Sequence, residues 1–259
     1  MTLTRIDAIS AFTDNYIWAL LNAAQKTVWI VDPGDAQPVI AYLNEQNFEL
    51  SGILITHHHQ DHCGGVSRLL KYKEVPVYGP QHRNIAATHL VKDKEIIYLP
   101  ECNVSFRVLA IPGHTLEHVA YYSEQHELLF SGDTLFSAGC GRVFEGTMPQ
   151  MYASLQSLAH LPDSTRLYCG HEYTLKNLAF AKYIEPHNED IAEYIRFVQA
   201  LKDKPSLPST LMQEKKINPF LRAQVEAVHA AAEAYTGKRF SEAVDVFAAI
   251  RQCKDHFQS

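Results

Sequence analysis

Residues 56–62 read Thr56-His57-His58-His59-Gln60-Asp61-His62, and four of these side chains are metal ligands at spacings that one turn of chain can gather. An apolar, partly β-branched run, 52–56, precedes the stretch, and Gly64-Gly65 with an amphipathic run, 66–72, follows it. This pattern predicts a buried strand, a ligand-bearing turn and the start of a helix. Open α/β sheets bind ligands beyond the carboxyl ends of their strands, so the stretch indicates a metal site at such an edge.

The four ligands fall into two pairs. We expect His57 and His59 to bind one cation, and Asp61 with His62, further round the turn, to face a second. Imidazole nitrogens and a carboxylate suit zinc or another borderline transition ion. His58 points away from its two neighbours, and we interpret it as facing solvent or supporting a ligand. The stretch alone leaves a metal-free surface histidine cluster open as the alternative.

The composition is that of an ordinary globular protein. The 259 residues are 46% apolar, enough to bury a full core as one large domain or as up to two smaller ones. The formal net charge is −6. Nucleic acid is therefore not an expected partner, because phosphate binding requires a basic face.

Residues 1–7 contain no long apolar core and no small-residue cleavage site, and no apolar run approaches a membrane span. We expect a cytoplasmic protein with no membrane contact, and a monomer. The odd number of cysteines and the lack of a C-x-x-C pair argue against a disulfide framework and a thiolate zinc site. Cys63 and Cys169 lie beside candidate ligands, and we interpret them as buried thiols.

The first part of the chain predicts a sheet that opens as a meander. Short strand-like runs occupy 5–9, 16–21 and 27–31, and an amphipathic helix over 38–47 leads back to the strand of the metal motif. Asp32 follows the third strand, where its carboxylate can hold a ligating imidazole. The alternative, an Asp that caps its own turn, is equally consistent with the sequence.

Three more candidate ligands follow predicted strands. Further strands are predicted at 76–78, 95–99, 104–111, 118–122, 127–131 and 167–169, and a helix at 148–161. His114, Asp133 and His171 each lie just beyond a strand and a glycine, whose freedom permits the sharp turn that a metal loop requires. Each taken singly is also compatible with an ordinary loop residue. Together with the first motif they make seven ligands for two metals: His57, His59 and His114 on one, Asp61, His62 and His171 on the other, and Asp133 bridging.

This pattern resembles the metallo-β-lactamase superfamily, whose motif T-H-x-H-x-D-H with a later His, Asp and His matches these positions. The match extends to blocks that look like the glyoxalase II family, the hydroxyacylglutathione hydrolases. These blocks are Asp14-Asn15-Tyr16, 31–35, 139–142, 170–174 and Asn218-Pro219-Phe220. The resemblance implies an α+β fold, an αββα metallo-β-lactamase sandwich with a helical C-terminal domain over the site.

The C-terminal domain is also visible in the periodicity. Strand signals disappear after Glu172, and apolar residues share helical faces within 191–201 and 240–250. The run 204–208, with two prolines, is predicted to separate helices. We therefore expect a metal-binding catalytic domain over 1–171 and a helical substrate-binding domain over 172–259.

Two cations sharing an aspartate hold a bridging water whose pKa falls towards about 7, which makes hydroxide a nucleophile at neutral pH. We take His57, His59, Asp61 and Asp133 as the catalytic ligands.

The family implies hydrolysis of S-(2-hydroxyacyl)glutathione thioesters, such as S-D-lactoylglutathione, to glutathione and D-lactate in methylglyoxal detoxification. Two divalent ions are expected per chain, zinc first, although the same ligands accept iron or manganese. The alternatives are a mono-iron glutathione persulfide dioxygenase of the same superfamily and a non-catalytic metal-dependent scaffold.

The resemblance also directs five residues at the glutathione moiety: Arg142, Phe144, Tyr173, Arg251 and Lys254. Two of them depart from the family pattern, since lysine is expected at Arg142 and tyrosine at Phe144. Arg251 and Lys254 lie one turn apart on the last predicted helix, where cations can meet the substrate carboxylates. A solvated helix face is the alternative interpretation of that pair.

Overall fold

The computed structural model describes residues 3–202 and 204–257. Residues 1–2 of the predicted first domain and residues 203 and 258–259 of the predicted second domain therefore lie outside the described residues. The chain forms two compact units. The first comprises Met1–Ala110, Glu117–Gly132 and Tyr168–Glu172, and the second comprises Ile111–Leu116, Asp133–Leu167 and Tyr173–Ser259. No helix in the described ranges is both long and apolar enough to cross a bilayer.

The strands are β1 (Arg5–Ala11), β2 (Asn15–Asn22), β3 (Thr27–Val31), β4 (Glu49–Leu54), β5 (Val77–Gly79), β6 (His89–Leu90), β7 (Ile96–Leu99), β8 (Val104–Ala110), β9 (Val119–Ser123), β10 (Leu128–Gly132), β11 (Leu135–Phe136), β12 (Gly139–Cys140), β13 (Arg166–Cys169) and β14 (Ser209–Thr210). The helices are α1 (Ala36–Gln46), α2 (Gln60–Cys63), α3 (Val66–Tyr72), α4 (Met148–Ala159), α5 (Thr174–Ile184), α6 (Glu189–Ala200), α7 (Leu211–Ile217), α8 (Glu226–Thr236) and α9 (Ala243–His256). The individually predicted strands and helices are confirmed, with ends displaced by at most three residues.

The first sheet has the order β1-β2-β3-β4-β5-β6 and changes character at β3. The strands β1, β2 and β3 form the predicted antiparallel meander, and β3, β4, β5 and β6 run parallel. On one face of β2, Ile17, Ala19 and Leu21 join a core cluster with residues of α1 and α3. This alternation follows from the two-residue period of a strand, and it places a helical layer against one face of the sheet.

The other face of β2 meets the second sheet, whose part in the first unit has the order β13-β10-β9-β8-β7. The ring of Trp18 lies 5.0 Å from that of Tyr168 at 85°, and its Nε1 donates to the carbonyl of Cys169 at 2.9 Å. The hydroxyl of Tyr121 on β9 donates to the carbonyl of Ile55 at 2.8 Å. The two sheets therefore pack face to face, and Tyr121 ties down the chain just before Thr56.

The second unit is mostly helical. Leu178, Ala181, Ile191, Val198 and Ile217 form a core between α5, α6 and α7, as the periodicity of 191–201 indicates. Two details of the prediction are wrong: Phe240 lies before α9 rather than on it, and a two-residue strand, β14, occurs beyond Glu172 and pairs with the start of β13. Both are set by tertiary contacts, which helical periodicity does not record.

A buried hydrogen-bond network holds the β11–β12 hairpin to α7. The Glu214 carboxylate is fully buried and accepts from the amide of Ala138 at 2.7 Å and from the Ser137 hydroxyl at 2.9 Å. Asn218 donates to the carbonyls of Phe136 at 3.2 Å and Gly139 at 2.9 Å. The Asn218-Pro219-Phe220 block therefore fixes the hairpin between Asp133 and Arg142.

Candidate metal centre

The metal motif occupies the turn between β4 and α2, as expected. The backbone leaves the sheet after Leu54 and enters α2 only at Gln60, with His59 at the N-cap. The neighbouring loop approaches so closely that a Cβ on Gly34 would lie 1.9 Å from the carbonyl oxygen of Asp61. Only glycine fits there, which explains the Gly in the 31–35 block.

Asp61, His62 and His171 present three ligand atoms to one small volume. His62 Nε2 lies 3.3 Å from His171 Nε2, and the Oδ2 atom of Asp61 lies 3.5 Å and 3.4 Å from these two nitrogens. Ligands held about 2.0–2.1 Å from a tetrahedral zinc ion are about 3.3–3.4 Å apart. The three atoms therefore form a face of the size that a zinc ion requires.

The opposite ring nitrogens of the two histidines are held by carboxylates. His62 Nδ1 lies 3.1 Å from Asp32 Oδ2, and His171 Nδ1 lies 2.8 Å from Asp14 Oδ1. An imidazole that donates from Nδ1 keeps its Nε2 lone pair for a metal, and a carboxylate partner fixes both tautomer and ring orientation. Two lone pairs and a carboxylate oxygen that converge in this way fit a divalent cation.

Asp32 does hold an imidazole, so that hypothesis is confirmed and local turn capping is not its role. Its carboxylate accepts from the amide and the hydroxyl of Thr56, at 2.8 Å and 2.7 Å, as well as facing His62. These partners are 24 and 30 residues away in sequence. Asp32 is 3% exposed, so it connects the end of β3 to the metal turn through buried hydrogen bonds.

His57 and His59 lie together in the same turn, with ring centroids 4.8 Å apart at 77°. His57 is fully buried, and its ring stacks at 4.5 Å on that of His118, a residue that the sequence analysis did not select. His58 instead stacks on His82 at 3.8 Å and contacts the carboxylate of Glu117. The expectation that His58 turns away from both neighbours is therefore wrong for His59, because the two rings lie 5.0 Å apart, although the ring partners His82 and Glu117 are outside the assigned ligand set.

The two cysteines beside the ligands are buried thiols, as interpreted. Burial, with a smaller contribution from Asp32, raises the pKa of Cys63 to about 11, and its Sγ donates to the carbonyl of His58 at 3.2 Å. Cys169 donates to the carbonyl of His171 at 3.6 Å. Both thiols support the backbone of the ligand turns, and the buried Cys63 thiol, with its raised pKa, is a poor metal ligand.

Within the second unit, His114 and Asp133 lie side by side. His114 Nε2 is 3.6 Å from Asp133 Oδ2, and His114 Nδ1 donates to the carbonyl of Arg142 at 2.8 Å. The Nδ1 hydrogen bond leaves the Nε2 lone pair available to a metal. A Cβ on Gly141 would lie 1.9 Å from the Asp133 carbonyl, so this glycine permits the close approach of the two loops.

Arg142, Phe144 and Tyr173 differ in their surroundings. Arg142 is largely exposed, with its Nε 3.6 Å from the Asp255 carboxylate. Phe144 is 61% exposed and its ring lies 5.2 Å from that of His114. Tyr173 is the N-cap residue of α5 and its ring meets Phe136 edge-on at 5.3 Å. Phe144 thus presents an apolar face beside one candidate ligand.

Arg251 and Lys254 both lie on α9, but only Lys254 is partly exposed. Arg251 is 3% exposed and donates to the Cys140 carbonyl at 2.8 Å and to Asp255 at 3.0 Å, with its guanidinium 5.0 Å from the ring centroid of Phe220. The alternative of a solvated helix face is therefore wrong for Arg251. Asp255, which contacts both arginines, was not selected from the sequence.

Comparison with known proteins links these features to two family models. Residues 172–257 match the model described as hydroxyacylglutathione hydrolase C-terminus, and residues 14–101 and 103–171 match that of the metallo-beta-lactamase superfamily. A hydroxyacylglutathione hydrolase of Nitrosomonas eutropha is 47% identical over 96% of this chain and 98% of its own. One of Alkalilimnicola ehrlichii is 48% identical over 98% of this chain and 99% of its own. The crystal structure of BLEG-1, a B3 metallo-beta-lactamase, superposes with a TM-score of 0.64 at 24% identity over 84% of this chain and 99% of that one, which confirms the expected fold.

Proposed function

Because the chain belongs to the hydroxyacylglutathione hydrolase family of the metallo-β-lactamase superfamily, we propose that it hydrolyses S-(2-hydroxyacyl)glutathione thioesters, such as S-D-lactoylglutathione, to glutathione and D-lactate. The motifs of the sequence resemble this same family. The observation that carries the proposal is the convergence of Asp61, His62 and His171, within a chain whose C-terminal third matches the family's own C-terminal model.

We propose that the chain holds two divalent ions, zinc in the first place. One is assigned to His57, His59 and His114, the other to Asp61, His62 and His171, and Asp133 is assigned as the shared ligand. The donor chemistry supports this assignment, since imidazole nitrogens and carboxylate oxygens are the ligands of borderline divalent ions. Such ions lower the pKa of water towards about 7 and act as Lewis acids on a carbonyl oxygen.

The chain's own residues orient these ligands. Asp32 and Asp14 direct the Nε2 lone pairs of His62 and His171 at one volume, and the Arg142 carbonyl accepts from His114 Nδ1 and so keeps the Nε2 lone pair of His114 available. No protein general acid is required for the leaving group, because a thiolate leaves as an anion near its usual pKa of about 8.5.

We propose that the glutathione moiety is bound in the second unit by Arg142, Phe144, Tyr173, Arg251 and Lys254. Arg142 and Lys254 supply cations for the glutathione carboxylates, and Phe144 supplies an apolar contact without the hydroxyl that a tyrosine would add. Arg251 is buried, and besides its assigned contact it donates hydrogen bonds to Cys140 and Asp255, of which Asp255 also faces Arg142.

The dioxygenase alternative is not favoured, since the full-length relatives described above are both hydroxyacylglutathione hydrolases. We further propose a monomer that acts in the cytoplasm, with functional domains over 1–171 and 172–259. Five free, buried cysteines are compatible with a reducing compartment.

The test is elemental analysis of the purified protein, assayed in parallel for lactoylglutathione hydrolysis and for oxygen consumption with glutathione persulfide. We expect about two metal ions per chain, as in two-metal hydrolases, and hydrolysis only. Asp133→Ala should lower both occupancy and turnover, whereas Asp163→Ala, which removes an exposed carboxylate paired with Lys215, should change neither. Full activity with one tightly bound metal per chain would contradict the two-metal proposal, and oxygen uptake would favour the dioxygenase.

A further inference from the structure

The turn between β1 and β2, taken here as Asp14 with the first two residues of β2, contributes three consecutive side chains to the surroundings of Asp61 and His171. We propose that Asp14, Asn15 and Tyr16 form a positioning element that builds the second metal centre, the one assigned to Asp61, His62 and His171. The inference rests on the proposed metal occupancy, and it concerns residues of this chain that are not themselves assigned as ligands.

Asp14 sets the direction of one ligand. Its Oδ1 accepts from His171 Nδ1 at 2.8 Å, and His171 is 5% exposed. The hydrogen on Nδ1 places the lone pair on Nε2, which is the atom that lies 3.3 Å from His62 Nε2. Without Asp14, the ring could exchange tautomers and rotate, and its Nε2 would meet the metal less often.

Asn15 sets the position of another ligand. Its Nδ2 donates to Asp61 Oδ2 at 3.0 Å and to the Asp61 carbonyl at 3.3 Å. The Asp61 side chain is 42% exposed, so burial alone does not fix its rotamer. Asn15 is only 6% exposed, and its Nδ2, which also lies 3.5 Å from His171 Nε2, is a buried donor beside the Asp61 oxygen that faces both imidazoles.

Tyr16 and the backbone dock the turn beside His171. The Tyr16 amide donates to the Gly170 carbonyl and the Glu172 amide to the Asp14 carbonyl, both at 2.8 Å. The Tyr16 hydroxyl donates to the Glu172 carboxylate at 2.9 Å. The turn thus connects His171 to Asp61, which lies 110 residues earlier in the chain.

His62, the remaining ligand of this centre, is held by Asp32. Asp14 contacts His171 and Asn15 contacts Asp61, and both of these ligands are assigned to this centre. Loss of the turn should therefore lower the metal affinity of this centre more than that of the other. Asn22 provides a matched control, because it is a buried Asn at the other end of β2, about 23 Å away at 3.3 Å per residue. It accepts from the amides of Ala24 at 3.1 Å and Gln25 at 3.2 Å and contacts none of the ligands.

The experiment measures zinc affinity of the full chain, stripped of metal and titrated in competition with a chromophoric chelator, alongside thermal unfolding of the metal-free form. Asp14→Ala and Asn15→Ala should each lower the affinity for one of the two zinc ions by about ten- to a hundredfold. The affinity for the other ion should stay within about twofold of the parent. Asp14→Asn, which keeps the volume but removes the charge, should give a smaller shift of the same kind. Asn22→Ala should lower the melting temperature of the metal-free form without changing either zinc affinity.

If the variants lowered the affinity for both zinc ions equally, in proportion to their loss of thermal stability, the turn would have only a structural role and the inference would be overturned. Unchanged zinc binding in both alanine variants, or no second zinc ion in the parent, would also overturn it. Since affinity is read without turnover, a parent that binds two zinc ions but does not hydrolyse thioesters would refute the proposed function and leave this inference intact.

Discussion

If Lys254 binds a glutathione carboxylate as proposed, its surroundings predict that substrate binding depends on pH. Burial, with a contribution from the neighbouring Arg251 guanidinium, lowers the pKa of Lys254 to about 8. Its Nζ donates to the carbonyl of Lys176 at 3.2 Å and lies 5.1 Å from the ring centroid of Phe180. A lysine with a lowered pKa is charged below about pH 8 and loses its charge as the pH rises through that value.

The size of the effect follows from this titration. If only the ammonium form binds a glutathione carboxylate, KM scales with one plus the ratio of neutral to charged Lys254. KM should then be about twofold higher at pH 8, and about tenfold higher at pH 9, than at pH 6.5. The proposed contact would lie away from the reacting bond and would stabilise the ground and transition states about equally, so kcat should change much less.

The assay compares the parent with Lys254→Arg between pH 6 and pH 9. A guanidinium remains charged throughout, so KM of the variant should lose this part of the pH dependence. The ratio of the two kcat/KM profiles cancels titrations of the substrate and the metal centre. A short thioester without the glutathione carboxylates serves as the control and should show no difference between the proteins. Identical pH profiles of KM for lactoylglutathione would refute a role for Lys254 in binding a carboxylate.

Two further predictions follow from buried charges. Asp32→Ala should weaken metal binding by about ten- to a hundredfold, because it removes the carboxylate that orients His62. Chelator competition measures this affinity, and equal affinities of the variant and the parent would show that the His62 ring needs no such partner. Arg251→Ala should raise KM and also destabilise the fold by about 2–4 kcal/mol, because it removes the hydrogen bonds to Cys140 and Asp255 and the contact with Phe220. Scanning fluorimetry should show a melting temperature of the Arg251→Ala variant lower by about 5–15 °C, whereas Lys254→Ala should change it little. A higher KM of Arg251→Ala without loss of stability would show that Arg251 acts as a direct substrate contact and not through the fold.

Much of the candidate site was accessible from the sequence. The strand before Thr56 and the helix over 66–72 were predicted from periodicity and turn residues, which record local backbone preference and burial. The three later candidate ligands could be selected because each follows a strand end and a glycine. A metal site explains this recurrence better than three unrelated loop residues do. The short strands β6, β11, β12 and β14 escaped prediction because two residues carry no period, and such strands exist only through pairing with a neighbour.

The amino-acid sequence predicted the candidate ligands, the strands of three or more residues, and the family to which the blocks belong. Tertiary structure alone decided which carboxylate holds which imidazole: Asp14 reaches His171 across 157 residues and Asp32 reaches His62 across 30. It also decided that Arg251 is buried while Lys254, one turn away, is partly exposed. The physical reason is that periodicity reports which face of an element is apolar, whereas the direction of a hydrogen bond and the pKa of a buried group depend on which distant element packs against that face.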